Sequence, residues 1–213
     1  RWKRVTGVQT CALPIFNFDP ANIASFIRRG AEIKARAREL YHRACREKGI
    51  QPETVSGPAD WEPAPGGEGL ISQGLQAGIE SRRQAFGPDV SGLQELILYG
   101  LKGMAAYADH AQILGREDQA VYAFFHEALD FLSGNPEDVN ELVGMAMRAG
   151  EVNLRVMELL DEANTGTYGH PTPTRVRITP RAGKCILVSG HDLRDLEDLL
   201  KQTEGKGIDI YTH

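Results

Sequence analysis

Gly183-Lys-Cys-Ile-Leu-Val-Ser-Gly-His191-Asp192-Leu-Arg-Asp-Leu-Glu-Asp-Leu-Leu200 is the stretch that decides how the rest of the chain is read. Its apolar run, Cys185 to Val188, has the length and β-branched content of a buried strand. Ser189 and Gly190 turn the chain, and Asp192 is placed to cap a helix whose Leu193, Leu196, Leu199 and Leu200 share one face. Gly205 stops that helix, and Ile208, Ile210 and Tyr211 begin a second strand. Strand, helix and strand in so few residues predict the start of a parallel α/β unit. His191 then falls at the carboxyl end of a strand and just before a helix, where open parallel sheets place their ligands.

Working outward, the residues before this unit read as helices. Asp19-Pro20 opens one that Gly49 closes, with Ile23, Phe26, Ile27, Ile33 and Leu40 as its expected apolar face. Residues 51–69 hold Pro52, Pro58, Pro63 and Pro65 and read as a long loop, with Trp61 as an anchor onto a neighbouring helix. A short helix over 70–86 ends at Gly87-Pro88. Leu93, Leu96, Ile97, Gly100, Leu101, Met104 and Ala108 mark the next, over 91–114, where Gly100, Gly103 and Ala105 suggest close helix approach. Residues 117–132 form another, with Val121, Phe124, Phe125, Ala128 and Leu129 inward. Asn135-Pro136-Glu137-Asp138 is a helix-start signature, followed by helices to about 149 and over 151–163. Short connections make 90–165 a bundle of three or four helices, and 165–180 a linker. The expected fold class is mainly α with α/β: a helical bundle domain over 16–175, then the first β-α-β unit of a truncated parallel-sheet domain over 176–213.

Composition narrows the function classes. The 213 residues are 25% charged and 41% hydrophobic with a net charge of −5, which describes an ordinary globular chain without a basic stripe for nucleic acid. No run approaches the roughly 20 apolar residues that cross a bilayer, and residues 1–15 lack a signal-peptide h-region. Cys11, Cys45 and Cys185 form neither a disulfide framework nor a metal cage, so a reducing cytoplasm is expected.

His191 is the main chemical candidate. Its imidazole is suited to ligating a metal, and position alone leaves that role and a turn-binding histidine equally open. Ser189, His191 and Asp192 do not make a hydrolase, because a triad converges from separated places and no Gly-x-Ser-x-Gly elbow exists. Glu39-x-x-His42 has the spacing of di-iron bundles but no second copy, so it reads as a solvated face. Cys185 reads as a small buried hydrophobe, while Cys45 stands among Arg43, Arg46 and Lys48. Gly205-Lys-Gly207 is a turn rather than a phosphate loop. His110 and His126 have no ligand-spaced companion, and Asp192, Asp195, Glu197 and Asp198 read as a helix start with a solvated face.

Two resemblances go further. Val5-Thr-Gly-Val-Gln-Thr-Cys-Ala-Leu-Pro-Ile15 resembles a sequencing adapter translated in frame, so residues 1–15 are set aside as an adapter-derived scar. Without them the chain carries 21 basic and 29 acidic residues, a net charge of −8. The remainder resembles an internal piece of the hybrid cluster protein family, the hydroxylamine reductases. The stretches that carry this are Leu-Gln-Glu-Leu-Ile-Leu-Tyr-Gly-Leu-Lys-Gly-Met-Ala-Ala-Tyr-Ala-Asp-His over 93–110, Leu-Leu-Asp-Glu-Ala-Asn-Thr-Gly-Thr-Tyr-Gly over 159–169, Ile-Leu-Val-Ser-Gly-His-Asp-Leu over 186–193, and residues 200–213.

The resemblance implies a helical domain of two three-helix bundles followed by α/β domains. It implies a cubane 4Fe-4S iron–sulfur cluster and a hybrid iron–sulfur–oxygen cluster, with hydroxylamine reduced to ammonia in nitrogen metabolism and nitric oxide reduction as a competing role. The implied partners are a small nitrogen-oxide substrate and a redox electron donor, without nucleic acid or membrane. Of the hybrid-cluster ligands only His191, in Ser-Gly-His-Asp, carries over. The family's following glutamate would lie past His213, the cubane cysteines before Phe16, and Cys45 and Cys185 match no ligand. The 213 residues alone are therefore expected to complete neither cluster and to be inactive. A carbon monoxide dehydrogenase relative and a cofactor-free helical interaction module are the competing readings.

Overall fold

A computed structural model describes residues 19–190 and 192–212. Among them are six α-helices and two strands: α1 (Pro20–Lys48), α2 (Gly67–Gln76), α3 (Ile79–Ile113), α4 (Gln119–Ser133), α5 (Val139–Tyr168), β1 (Lys184–Val188), α6 (Leu193–Thr203) and β2 (Ile208–Thr212). The chain is mainly helical with one small parallel sheet, as the sequence predicts. No helix of the described residues is long and apolar enough to cross a membrane. The adapter-like residues 1–15 lie outside the described part. Two compact units divide the rest, one formed by 17–103 with 119–153, the other by 104–118 with 154–213.

In the first unit, the Asp19 carboxylate accepts from the Asn22 N–H at 2.9 Å, which fixes the start of α1 where the sequence places it. Gly49 and Ile50 close the helix with backbone bonds to Arg46 and Cys45 at 3.2 and 2.9 Å. The face expected to turn inward is instead open: Ile23, Phe26, Ile27, Ile33 and Leu40 are exposed, and Ala24 and Cys45 are the buried positions. Periodicity identified the shared face but could not supply a neighbour for it.

The loop after α1 is pinned by side chains one helix face supplies. Arg28 donates to the Pro65 carbonyl at 2.8 Å, Lys34 to that of Trp61, and Arg38 to that of Ala59 at 2.5 Å. The Glu53 N–H donates to the Tyr41 hydroxyl at 3.0 Å. Trp61 thus anchors through its carbonyl, and the residue itself is exposed.

The helix predicted over 70–86 starts at Gly67 and breaks after Gln76, and α3 begins at Ile79. Gly87-Pro88 interrupts α3 as expected. Gly87 adopts φ 79°, ψ 167°, a conformation closed to residues with a side chain, and Pro88 then restarts the helix. Ile97 and Leu101 of α3 and Val121, Phe124 and Ala128 of α4 are buried, whereas Leu129, expected to face inward, is exposed, as is Leu96 of the α3 pattern. Among the described residues a Cβ added at Gly100 or Gly103 would meet nothing within 4 Å, so none of them makes a close helix approach there.

A polar knot sits within this apolar packing. Gln94 is 1% exposed, donates to the Pro136 carbonyl at 2.8 Å and accepts from Arg82 at 2.6 Å. It thereby ties α3 to the turn before α5.

That turn corrects one expectation. The cap of α5 is Asp138, which accepts from the Asn140 and Glu141 N–H groups at 2.8 and 3.0 Å. Asn135, at φ 50°, belongs to the end of α4. A second correction concerns Gly150, where two helices were expected to meet. Helix α5 runs unbroken through it to Tyr168. A lone glycine costs a helix only about 1 kcal/mol, which the apolar positions on either side of it offset. The helix therefore also absorbs 165–168, read as linker; Thr165 and Thr167 donate to the Asp161 and Ala163 carbonyls four residues back.

In the second unit, Ala111, Leu159 and Ala163 form a buried cluster with Leu114 against it. Gly115, at φ 80°, ends α3 through backbone bonds from Gly115 and Arg116 to Gln112 and Ala111 at 2.8 and 2.9 Å. Arg155 pairs with Asp118 at 2.8 Å and with Glu158 and Glu162 at 3.3 and 3.4 Å. Strands β1 and β2 pair in parallel, Lys184 opposite Ile208 through Val188 opposite Thr212, which is the predicted β-α-β unit. The strand read as buried is mostly open, however, with Leu187 76% exposed and Cys185 exposed. The Arg181 N–H donates to the Tyr211 hydroxyl at 2.7 Å, fastening the approach to β1 onto β2.

Candidate functional site

His191, the residue singled out by sequence, lies outside the described residues; those on either side of it are described. Before it, β1 ends at Val188 and Gly190 has φ 154°. After it, Asp192 caps α6 as predicted, one carboxylate oxygen accepting from the Arg194 and Asp195 N–H groups at 2.9 and 3.2 Å. The other oxygen of Asp192 lies 3.5 Å from Nε2 of His110 near the end of α3. The His110 ring meets Tyr107 edge-on, with centroids 6.3 Å apart and planes at 78°.

A second grip falls one turn further along α6. The Tyr168 hydroxyl, on the last residue of α5, donates to Glu197 at 3.0 Å. Glu197 also receives Lys201 and lies 3.3 Å from Arg194. The bond from Lys201, and after it the one from Tyr168, holds the Glu197 carboxyl below the usual range. Burial, then the Glu197 bond, pushes the Tyr168 phenol up. At neutral pH the pair is therefore a phenol donating to a carboxylate, a charge-assisted hydrogen bond. Nε of Arg194 lies 3.4 Å from Asp198, an ion pair by distance that lacks hydrogen-bond geometry.

The acidic residues of α6 are thus half-buried and engaged rather than a simply solvated face. His110 does have a companion, Asp192, but a distant one in sequence that no spacing rule reveals. Tyr168 gave no signal in periodicity and enters the sequence reading only inside the resemblance-carrying stretch 159–169.

The other candidates do not assemble. Glu39 is exposed and His42 half-buried on α1, His126 is exposed, and Cys45 is buried while Cys185 is exposed. Among the described residues no group of three or more His, Cys, Asp or Glu side chains is placed to hold a metal ion. The described donors therefore do not by themselves fit an iron–sulfur cluster.

Comparison with known proteins supplies what geometry leaves out. The family described as Prismane/CO dehydrogenase matches residues 5–213, a span that takes in most of the adapter-like segment. A hydroxylamine reductase of Rhodospirillum rubrum is 52% identical over 197 residues, covering 92% of this chain and 36% of its own. One from Geobacter sulfurreducens is 49% identical over 199 residues, 92% of this chain and 36% of its own. One from Syntrophobacter fumaroxidans is 47% identical over 213 residues, 98% of this chain and 38% of its own. The chain therefore spans little more than a third of the length of the curated relatives it matches.

Proposed function

Because the chain belongs to the Prismane/CO dehydrogenase family, we propose that it is an internal portion of an iron–sulfur oxidoreductase that reduces hydroxylamine. The observation that carries this reading is the 52% identity to a protein named hydroxylamine reductase over 92% of the chain. The other relatives cited bear the same name, which favours this chemistry over a carbon monoxide dehydrogenase. The overall reaction takes hydroxylamine, two protons and two electrons to ammonia and water, breaking the N–O bond. A small-molecule redox donor or protein supplies the electrons, and a hybrid iron–sulfur–oxygen cluster and a cubane cluster belong to the full-length protein in the cytoplasm.

Within this reading His191 contributes one imidazole ligand to hybrid-cluster iron, at the end of β1 and ahead of the Asp192 cap. The remaining ligands come from elsewhere in the full-length protein in this reading; among the described residues no group of three or more His, Cys, Asp or Glu is placed to hold a metal ion. The residues of this chain bind and orient. They hold the start of α6 in place, through the Asp192 cap and the Tyr168–Glu197 bond, rather than exchange electrons.

The test is anaerobic purification of the full-length protein, with iron analysis, electron paramagnetic resonance and hydroxylamine-dependent oxidation of a reduced dye. The wild type should carry both clusters and turn over hydroxylamine, and His191→Ala should lose the hybrid-cluster signal and the activity while keeping the cubane signal. An active, fully clustered His191→Ala enzyme would remove the histidine from the site. The 213-residue chain prepared alone should hold no stoichiometric iron and show no reductase activity. Long-read sequencing of the source DNA across both ends would show whether further cluster ligands flank it.

A further inference from the structure

We propose that Gly87-Pro88 is a hinge in α3 and that Arg82 is its latch, the bond from Arg82 to Gln94 setting the angle between an arm over 79–86 and the shaft that starts at Ser91. The inference lies within one compact unit, needs no cofactor and is independent of the proposed chemistry.

The backbone alone leaves this angle loose. Gly87, at φ 79°, ψ 167°, departs from the helical conformation, and glycine meets little steric resistance to rotation about it. Pro88 brings no N–H to the hydrogen-bond ladder, so one rung is missing where the two parts join. The Ser91 hydroxyl donates to the Gly87 and Pro88 carbonyls at 2.6 and 3.3 Å, which secures the start of the shaft without reaching the arm.

Apolar packing does not fix the angle either. From 46 to 90 no residue is buried; on the arm Ile79 is 53% exposed and Phe86 half-buried. Burial begins abruptly past the kink, with Ser91, Gln94, Ile97 and Leu101.

What crosses the kink is Arg82. It donates to Oε1 of Gln94 at 2.6 Å, and its Nε lies 3.3 Å from Glu95, an ion pair by distance that lacks hydrogen-bond geometry. The bond to Gln94 is charge-assisted and comes from a rigid planar fork, so it resists rotation as well as separation. The receiving amide cannot follow a moving arm, because Gln94 is 1% exposed and its nitrogen donates to the Pro136 carbonyl at 2.8 Å. A latch on fixed ground thus holds an arm that neither backbone nor core holds.

The experiment uses the full-length protein with nitroxides on ketone-bearing unnatural residues in place of Glu80 and Lys102, both exposed, which spares the cysteines. Pulsed electron–electron double resonance reads the distance between the labels, and hydrogen–deuterium exchange of 79–86 reports whether the arm stays helical. At about 1.5 Å per residue position 80 stands roughly 10 Å from the hinge, so a swing of about 30° moves its label by about 5 Å.

Wild type should give one narrow distance. Arg82→Ala should broaden or shift the distribution on that scale with exchange of the arm unchanged, whereas Arg83→Ala, at the exposed neighbour, should match wild type. A narrow, unshifted distance in Arg82→Ala would overturn the inference, since packing or backbone would then set the angle. A distribution already broad in wild type, or a broadening shared by Arg83→Ala, would overturn it too. So would loss of exchange protection in the arm in step with the broadening, which is a merely structural role. If Arg82→Ala fails to fold, Arg82→Lys carries the same expectation and is judged by the same readouts, because an ammonium cannot reproduce the planar fork.

Discussion

The unit of 17–103 with 119–153 and the strand–helix–strand of 184–212 answer similar sequence patterns in opposite ways. In the first, Ile97, Val121 and Leu142 are at most 1% exposed. In the second no described residue is buried, although β1 and α6 are patterned as clearly as any helix before them. A repeat of apolar residues reports which side chains share a face; whether that face is covered depends on what else reaches it. A lone two-stranded sheet has little to bury against, and its strands stay marginal until a face is covered.

The sharpest way to break this comparison is to remove one leucine from each region of the 213-residue chain. Leu142→Ala, at a position 0% exposed, should cost about 2–5 kcal/mol in guanidinium denaturation. Leu187→Ala, at 76% exposed, should change stability by no more than about 0.5 kcal/mol. Equal costs would mean that the face of β1 is covered after all.

The polar knot of the helical unit gives the next largest effect. Gln94→Ala leaves the Pro136 carbonyl and one Arg82 nitrogen without their partner in a buried setting, which should cost about 1–3 kcal/mol. No described side chain of 184–212 is buried as Gln94 is, so single polar deletions there, such as Gln202→Ala, should be nearly silent in the same denaturation series.

Two glycines show how far the sequence could be read. Gly87 reads as a break and is one, because Pro88 follows it and its φ of 79° excludes side chains. Gly150 reads as a break and is not, because nothing after it forbids the helix and Met145, Ala149 and Val156 continue the buried face. Gly150→Ala meets nothing within 4 Å and should stabilise the chain by about 0.5–1 kcal/mol, whereas Gly87→Ala should destabilise it. Thermal melts of the two variants would settle the contrast, and a drop in melting temperature for Gly150→Ala would refute it.

Local rules thus carried the element order, the Asp19 and Asp192 caps and the parallel strand pair. They failed where the outcome depends on distant partners. The exposed face of α1, the exposed Cys185 and the engagement of His110 and Tyr168 with α6 follow from tertiary contact or its lack. Even the misplaced α5 cap belongs here: Asn135 and Asp138 are both good caps, but the Asn135 N–H donates back to the Leu132 carbonyl at 3.1 Å and closes α4, leaving Asp138 to start α5.

The smallest expected effect compares two carboxylates, one in each unit. Glu127 is forked by Arg148, with one of the two bonds at 2.8 Å, and that bond holds its carboxyl below the usual range. Glu197 is held low by Lys201 and then by Tyr168. For both, the folded pKa lies beneath the unfolded one. Each therefore adds stability above the ordinary carboxylate range and loses it as pH falls through the lowered value.

Tyr168 behaves in the opposite sense. Its phenol is raised, so its contribution is complete below the ordinary tyrosine value of about 10 and fades as pH rises through the raised one. The Tyr168–Glu197 contact accordingly has an acid and an alkaline limit, while the Glu127–Arg148 pair near neutrality has only the acid one. Carboxylate titration by nuclear magnetic resonance checks both. Tyr168→Phe should move Glu197 toward the ordinary range and leave Glu127 where it is, and Arg148→Ala should do the reverse. Added salt should shrink the Glu127 displacement, since exposed charges are screened within about 10 Å at 0.1 M. A Glu197 titration indifferent to Tyr168→Phe would mean that the cations Lys201 and Arg194 hold the carboxylate low without it, and that the phenol adds no charge-assisted bond.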